Sequence, residues 1–218
     1  TALRYNLSVR SEQLNAEYLK KISATAYTIP QTSLLVDYGQ INSAYSDNRI
    51  SLSQSMKFPT VYARQKAFYS EEWKKGLKAV AVKERELVKE VSKVYYQLVY
   101  LKEKQKLLEH TDSLMLAFHQ VAQLRLKVGE TNVLETATSE TQRGAIIVQL
   151  RELKEDIELL QLRLKWLLNT STNYIPSVAA YKISGVTITD TSMLKEHPYL
   201  QQLKQEQSVS QARVAVEK

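Results

Sequence analysis

Hydrophobic positions recur at helical spacing along most of this chain, with one interruption at strand spacing. Near the start, Leu7, Leu14, Tyr18 and Ile22 recur at intervals of seven and four, which predicts a helix over residues 1–27, ended by Pro30. Residues 34–58 change period. In NRISLSQSMKF, Ile50, Leu52, Met56 and Phe58 share one face; Ser51, Ser53, Ser55 and Lys57 share the other, and only Gln54 breaks the alternation. The preceding SLLVDYGQI is a second, less regular strand, and NSAYSDN between them is rich in turn formers. The expectation is a β-hairpin over residues 32–58. A half-buried strand on a soluble core is the plainer alternative, but no other clear strands lie nearby to build that sheet. An isolated two-stranded hairpin is marginal in water, so this one needs strands from elsewhere. A strand of roughly 9–11 residues with one apolar face also suits a membrane barrel.

Pro59 then opens a very long helix, since proline is well tolerated in a first turn. Residues 60–128 contain no proline and only Gly76, which corresponds to about 100 Å of helix. Leu87, Val94, Leu101, Leu108, Met115 and Ala122 repeat every seven residues, with Val91 and Leu98 between them. A second heptad row runs through Leu107, Leu114, Val121 and Val128. One sustained row predicts a coiled coil; two rows predict neighbours on two sides. The pattern stops at Gly129 and resumes over 133–168, where Ile146, Leu150, Leu153, Ile157, Leu160, Leu164 and Leu167 alternate spacings of four and three. So short a connection allows only an antiparallel helical hairpin. The first helix is about twice as long as the second and is expected to continue alone beyond it. Residues 169–196 read as a loop and one or two short strands in VAAYKISGVTIT. A new helix begins at 197–218.

The fold class is therefore mainly α: a long antiparallel coiled-coil hairpin with a β-hairpin insertion. Few glycines and prolines (5 and 4 in 218 residues) agree with long elements and scarce turns. The net charge of +7 permits an anionic partner, but lysines alternate with glutamates in KEREL and RELKED, as on a solvated helix face. A nucleic-acid-binding coiled coil predicts a basic stripe, and the mixed charges argue against it. With no cysteine, disulfides and thiolate metal sites are excluded. His110 and His119 lie about 180° apart around one helix and cannot chelate one ion from the same face. No nucleophile, P-loop, dinucleotide or zinc-protease motif occurs, so no enzyme, cofactor or metal site is assigned. No segment approaches the length of a membrane-spanning helix, and TALRYNLSV has no basic and apolar leader, as in a processed protein or an excised piece.

The turn itself, RLKVGETNVLE, has a local account. Gly129 follows the last periodic residue and takes the position where a left-handed conformation is needed. Thr131 or Asn132 can cap the next helix, and an Asn132 cap places Glu135 three residues on, as in a capping box.

The element order and RLKVGETNVLETATSE resemble the first repeat of TolC-like outer-membrane efflux proteins, which carry a similar Arg-x-x-x-Gly turn. EHPYLQQL resembles the Asn-Pro-x-Leu opening of a family repeat, with His197 in place of Asn; ALRYNLSV resembles it more loosely, keeping Asn6. YGQINSAYSDNRISLSQSMKFPTVYARQK is most similar to the heavy-metal, CusC- or CzcC-like branch, in sequences from Bacteroidetes that can be fused to a transporter. The resemblance spans a little over half of a family protein. It implies a homotrimeric passive conduit of a Gram-negative outer membrane and periplasm, exporting heavy-metal cations or small toxic compounds. In that family each protomer gives four strands to a twelve-stranded barrel. Two strands alone would leave edges exposed, and residues 34–58 are expected to be disordered, swapped or abnormally paired if this piece is crystallised by itself. The implied partners are a periplasmic adaptor (membrane fusion protein), an inner-membrane RND-type transporter and outer-membrane lipid, with no nucleic acid. The adaptor would meet the tip at Arg125, Val128, Gly129, Glu130, Thr131 and Val133, with Arg125 and Glu130 able to make polar contacts across tips. Lipid would face Ile50, Leu52, Met56 and Phe58. A structural coiled-coil scaffold or membrane-associated interaction protein is the alternative; it accounts for the heptads but not for ISLSQSMKF.

Overall fold

The computed structural model describes residues 2–40, 45–176 and 196–217. The order is α1 (Ala2–Tyr5), α2 (Leu7–Ala24), a 3-10 turn (Thr25–Tyr27), β1 (Ser33–Gly39), β2 (Asp47–Ser53), α3 (Pro59–Lys127), α4 (Val133–Leu168) and α5 (Pro198–Glu217). The expected strands in VAAYKISGVTIT lie outside the described residues. The elements form two compact units, one from Thr1–Leu7 with Glu84–Thr187, the other from Ser8–Lys83 with Ile188–Lys218.

In the first unit the C-terminal part of α3 pairs with α4. The expected seam is present: Leu87, Val94, Leu98, Leu153, Ile157, Leu164 and Leu167 are buried. Towards the turn the seam narrows to Ala122 and Ser139, 1% and 0% exposed. Ion pairs flank it, with Arg163 Nη2 2.9 Å from Glu90 Oε2 and Arg143 Nε 3.1 Å from Asp112 Oδ1. The second heptad row stays on the surface: Leu107, Leu114, Val121 and Val128 are 53–70% exposed.

The first helix breaks at Asn6, contrary to the single helix expected over 1–27. The break has a hydrogen-bonding reason. Asn6 is buried, and its amide donates to the Leu167 carbonyl at the end of α4 (2.9 Å). Asn169, in the left-handed conformation that ends α4 (φ 48°), returns a bond from its own amide to the Tyr5 carbonyl (3.1 Å). Two carbonyls left over at helix ends are thereby satisfied.

In the second unit the N-terminal part of α3 is flanked by α2 and α5, so α3 does not run alone beyond α4. The expected face of α2 is also wrong: Leu14 and Tyr18 are 56% and 61% exposed, whereas Val9 and Ala16 are buried. Size decides this. Gly76 lets α2 approach closely enough that a Cβ there would stand 3.3 Å from Ala16 Cα and 2.9 Å from Leu19 Cδ1. Large side chains cannot occupy such a contact, so the small residues turn inward. On α5, Gln201 accepts from Lys78 Nζ (2.9 Å), and Glu206 lies 3.2 Å from Lys75. Glu71 accepts from Lys74 (2.6 Å) and from Gln205 (2.5 Å); these two bonds, Lys74 first, hold its carboxyl below the usual range. His197 takes the capping role of an asparagine: its Nδ1 accepts from the Tyr199 N–H (3.3 Å) directly before Pro198.

Candidate functional site

Two features carry functional geometry, one in each unit. In the first unit, α3 ends in a Schellman motif. Gly129 has φ +78°, its N–H donates to the Leu126 carbonyl (3.1 Å), and the Glu130 N–H donates to the Arg125 carbonyl (2.9 Å). Asn132 then caps α4 by accepting from the Glu135 N–H at 3.1 Å.

The Glu135 carboxylate does not complete a capping box. It accepts from the Thr131 hydroxyl and lies 3.5 Å from Arg125, whose guanidinium also lies 3.9 Å from Glu130. Arg125, Glu130 and Thr131 thus interact within the turn, and Arg125 and Glu130 keep 48% and 67% of their side chains exposed. Apolar side chains project beside them. Val128 and Val133, named above for the tip, are 70% and 69% exposed; Leu124 and Leu134, which the sequence reading did not single out, are 62% and 72% exposed. Their signal was present: Leu124 precedes Val128 by one helical turn, and Leu134 adjoins Val133. One turn deeper, the Ser139 hydroxyl donates to the Thr136 carbonyl (2.7 Å) and so accepts from His119 Nδ1–H (2.8 Å). That assigns His119 Nε2 as acceptor for the Gln123 amide (2.9 Å). His119 is a packing residue with both nitrogens committed.

In the second unit, β1 and β2 pair antiparallel from Ser33↔Ser53 to Gly39↔Asp47. All seven paired positions are in regular register. Partners in an antiparallel pair share a face. Leu34, Val36 and Tyr38 therefore share one face with Leu52, Ile50 and Asn48. Ser33, Leu35 and Asp37 share the other with Ser53, Ser51 and Arg49. Ile50 and Leu52 lie on the predicted apolar face, 73% and 72% exposed. Met56 and Phe58 do not: β2 ends at Ser53. The cause is Gln54, which broke the alternation. Its side chain bonds the Thr32 hydroxyl and donates to the Pro30 carbonyl (2.8 Å), replacing the ladder where Pro30 has no N–H to give. Among the described residues no helix is long and apolar enough to cross a membrane, and none of their His, Cys, Asp and Glu side chains group as a metal site.

No family model matches the chain, and no curated protein sequence does. Solved structures do match. The outer-membrane channel OprN superposes with a TM-score of 0.78 at 15% identity, over 99% of this chain and 53% of OprN. The CmeC outer-membrane channel of Campylobacter jejuni gives 0.80 at 15% identity, over 99% of this chain and 51% of CmeC. CusC gives 0.78 at 12% identity, over 97% and 53%. This chain, spanning about half the length of these relatives in shape, has the fold of half an outer-membrane channel chain.

Proposed function

We propose that this chain is half of a protomer of an outer-membrane efflux channel, a passive conduit from periplasm to exterior. One observation carries the reading. A strand pair with a continuous apolar face leads, within six residues, into a long helix that returns through a Schellman-capped turn. A scaffold coiled coil has no use for the strand pair.

In this reading Leu34, Val36, Ile50 and Leu52 face lipid. Ser33, Asp37, Arg49 and Ser51 face the water-filled interior of a barrel completed by other strands. The exposed heptad row on α3 packs against further helices of a homotrimer. The tip, through Val128 and Val133 with Leu124 and Leu134, meets a periplasmic adaptor, and an inner-membrane transporter of the RND type supplies the cargo. The resemblance of residues 38–66 to the heavy-metal branch adds metal cations to small toxic compounds as cargo; the match to CusC does not stand above those to OprN and CmeC.

The test uses the full-length gene product. In planar bilayers it should conduct ions, and deleting its gene should sensitise cells to metal salts or small toxic compounds. Val128→Glu and Val133→Glu should abolish adaptor pull-down while conductance persists. A full-length protein that inserts without conducting would sink the channel reading. Unaltered adaptor binding by the double variant would remove the tip from the interface.

A further inference from the structure

We propose that the base of the strand pair is a cationic and aromatic collar for anionic phospholipid headgroups, selecting them at the periplasmic surface of the membrane. The proposal rests on the membrane reading above and adds a lipid class to it. Between Ile50 and Ser70 there is no acidic residue, but there are three cations, Lys57, Arg64 and Lys66, all exposed. None has a carboxylate within ion-pair distance among the described residues. Their neighbours are neutral. Lys57 Nζ reaches Gln65 Oε1 only at 3.5 Å, Arg64 Nη1 donates to the Ala215 carbonyl at 3.0 Å, and Lys66 Nζ lies 5.2 Å from the ring centre of Tyr27.

Further along α3 the pattern reverses. Glu71 pairs with Lys74, Glu72 with Arg213 at 3.9 Å, and Lys75 with Glu206. The stretch of α3 with cations and no acid is therefore the one next to the strands, and both signs interleave from Glu71 on. A solvated helix face, the ordinary explanation for lysines here, interleaves the two signs, as α3 does beyond Ser70.

Two tyrosines occupy the same band. Tyr27 and Tyr62 stack with centroids 6.5 Å apart, and the Tyr62 hydroxyl accepts from the Lys57 N–H (3.2 Å). Tyrosine places an apolar ring and a polar tip at the boundary between hydrocarbon and headgroups. The band is continuous in the chain with the apolar strand face: Leu52 precedes Lys57 by five residues, and the Gln54 side chain ties the strand end to Pro30. Apolar strands, then tyrosines with unpaired cations, then paired charges match the sequence of environments from membrane to water. A neutral headgroup offers no net charge to the cations; an anionic phosphate does, with charge-assisted hydrogen bonds as well.

The experiment uses the full-length protein inserted into vesicles of phosphatidylcholine alone and of phosphatidylcholine with phosphatidylglycerol. Lipid co-purifying from the mixed vesicles is read by native mass spectrometry. We expect enrichment of phosphatidylglycerol, falling about fivefold for each of Lys57→Gln, Arg64→Gln and Lys66→Gln, and weakening with salt. Charge-retaining Lys57→Arg and Lys66→Arg should keep it, which separates charge from folding defects. Insertion into both vesicles with no lipid preference, or with a preference that survives the glutamine variants, overturns the collar and leaves the channel reading standing. Failure to insert into either vesicle overturns both.

Discussion

Replacing Gly76 with alanine sets two effects of known sign against each other. Within a helix, glycine to alanine normally stabilises by about 1 kcal/mol, because alanine loses less backbone entropy on folding. At Gly76 the new Cβ would stand 2.9 Å from Leu19 Cδ1, 3.3 Å from Ala16 Cα and 3.5 Å from Ala16 Cβ. The Leu19 methyl can rotate away at little cost. The Ala16 Cα is backbone, so α2 itself must shift by a few tenths of an ångström, an overpacking cost of about 1–3 kcal/mol. The net expectation is a loss of about 0–2 kcal/mol, concentrated in α2. Gly144→Ala supplies the reference: Gly144 is also helical, but nothing lies within 4 Å of a Cβ there. The difference between the two variants cancels the propensity gain and isolates the packing cost.

Trp73 reports the event locally. It lies one turn before Gly76, with Lys20 of α2 5.4 Å from its ring centre. In a full-length background where Trp73 is the single tryptophan, Gly76→Ala should red-shift its emission and speed amide exchange in α2. If Gly76→Ala instead stabilises as much as Gly144→Ala, with α2 protection unchanged, the close approach does not set the packing of α2.

Three further expectations follow from individual contacts. Gly129→Ala meets no steric obstacle but must hold alanine at φ +78°, so the tip should lose about 1–2 kcal/mol, read by exchange of the Glu130 amide. Asn6→Ala should cost about 1–3 kcal/mol by leaving the Leu167 carbonyl buried without its donor. Asn6→Asp should be at least as damaging, because a carboxylate cannot donate; exchange at the end of α4 checks both. Glu71, held below the usual carboxylate range by Lys74 and Gln205, favours the folded state while ionised. That contribution is complete above the ordinary carboxylate value of about 4.3 and is lost as pH falls through the lower folded value. Acid titration should loosen α5 from α3 in that window, and Glu71→Gln should flatten the response.

Much of the candidate site was legible in the sequence because its causes are local. Glycine after the last heptad position, asparagine three residues before glutamate and strict alternation from Ile50 to Ser53 each act within one turn or one pleat. Burial was less legible. Leu14 and Tyr18 looked like the core of α2 and are exposed, because the decisive residue, Gly76, lies some sixty positions away. The ion pairs that link Arg125 to Glu130 and Glu135 were not legible, because they form only once the turn closes.

By itself, then, the sequence determined the helices, the hairpin seam and the left-handed turn at Gly129, since periodicity and capping are properties of neighbouring residues. Only the tertiary structure decided which face of α2 is buried, that Asn6 breaks the first helix to reach Leu167, and that β2 stops at Gln54. Each depends on a partner distant in the chain, and no local pattern specifies the distance at which two segments meet.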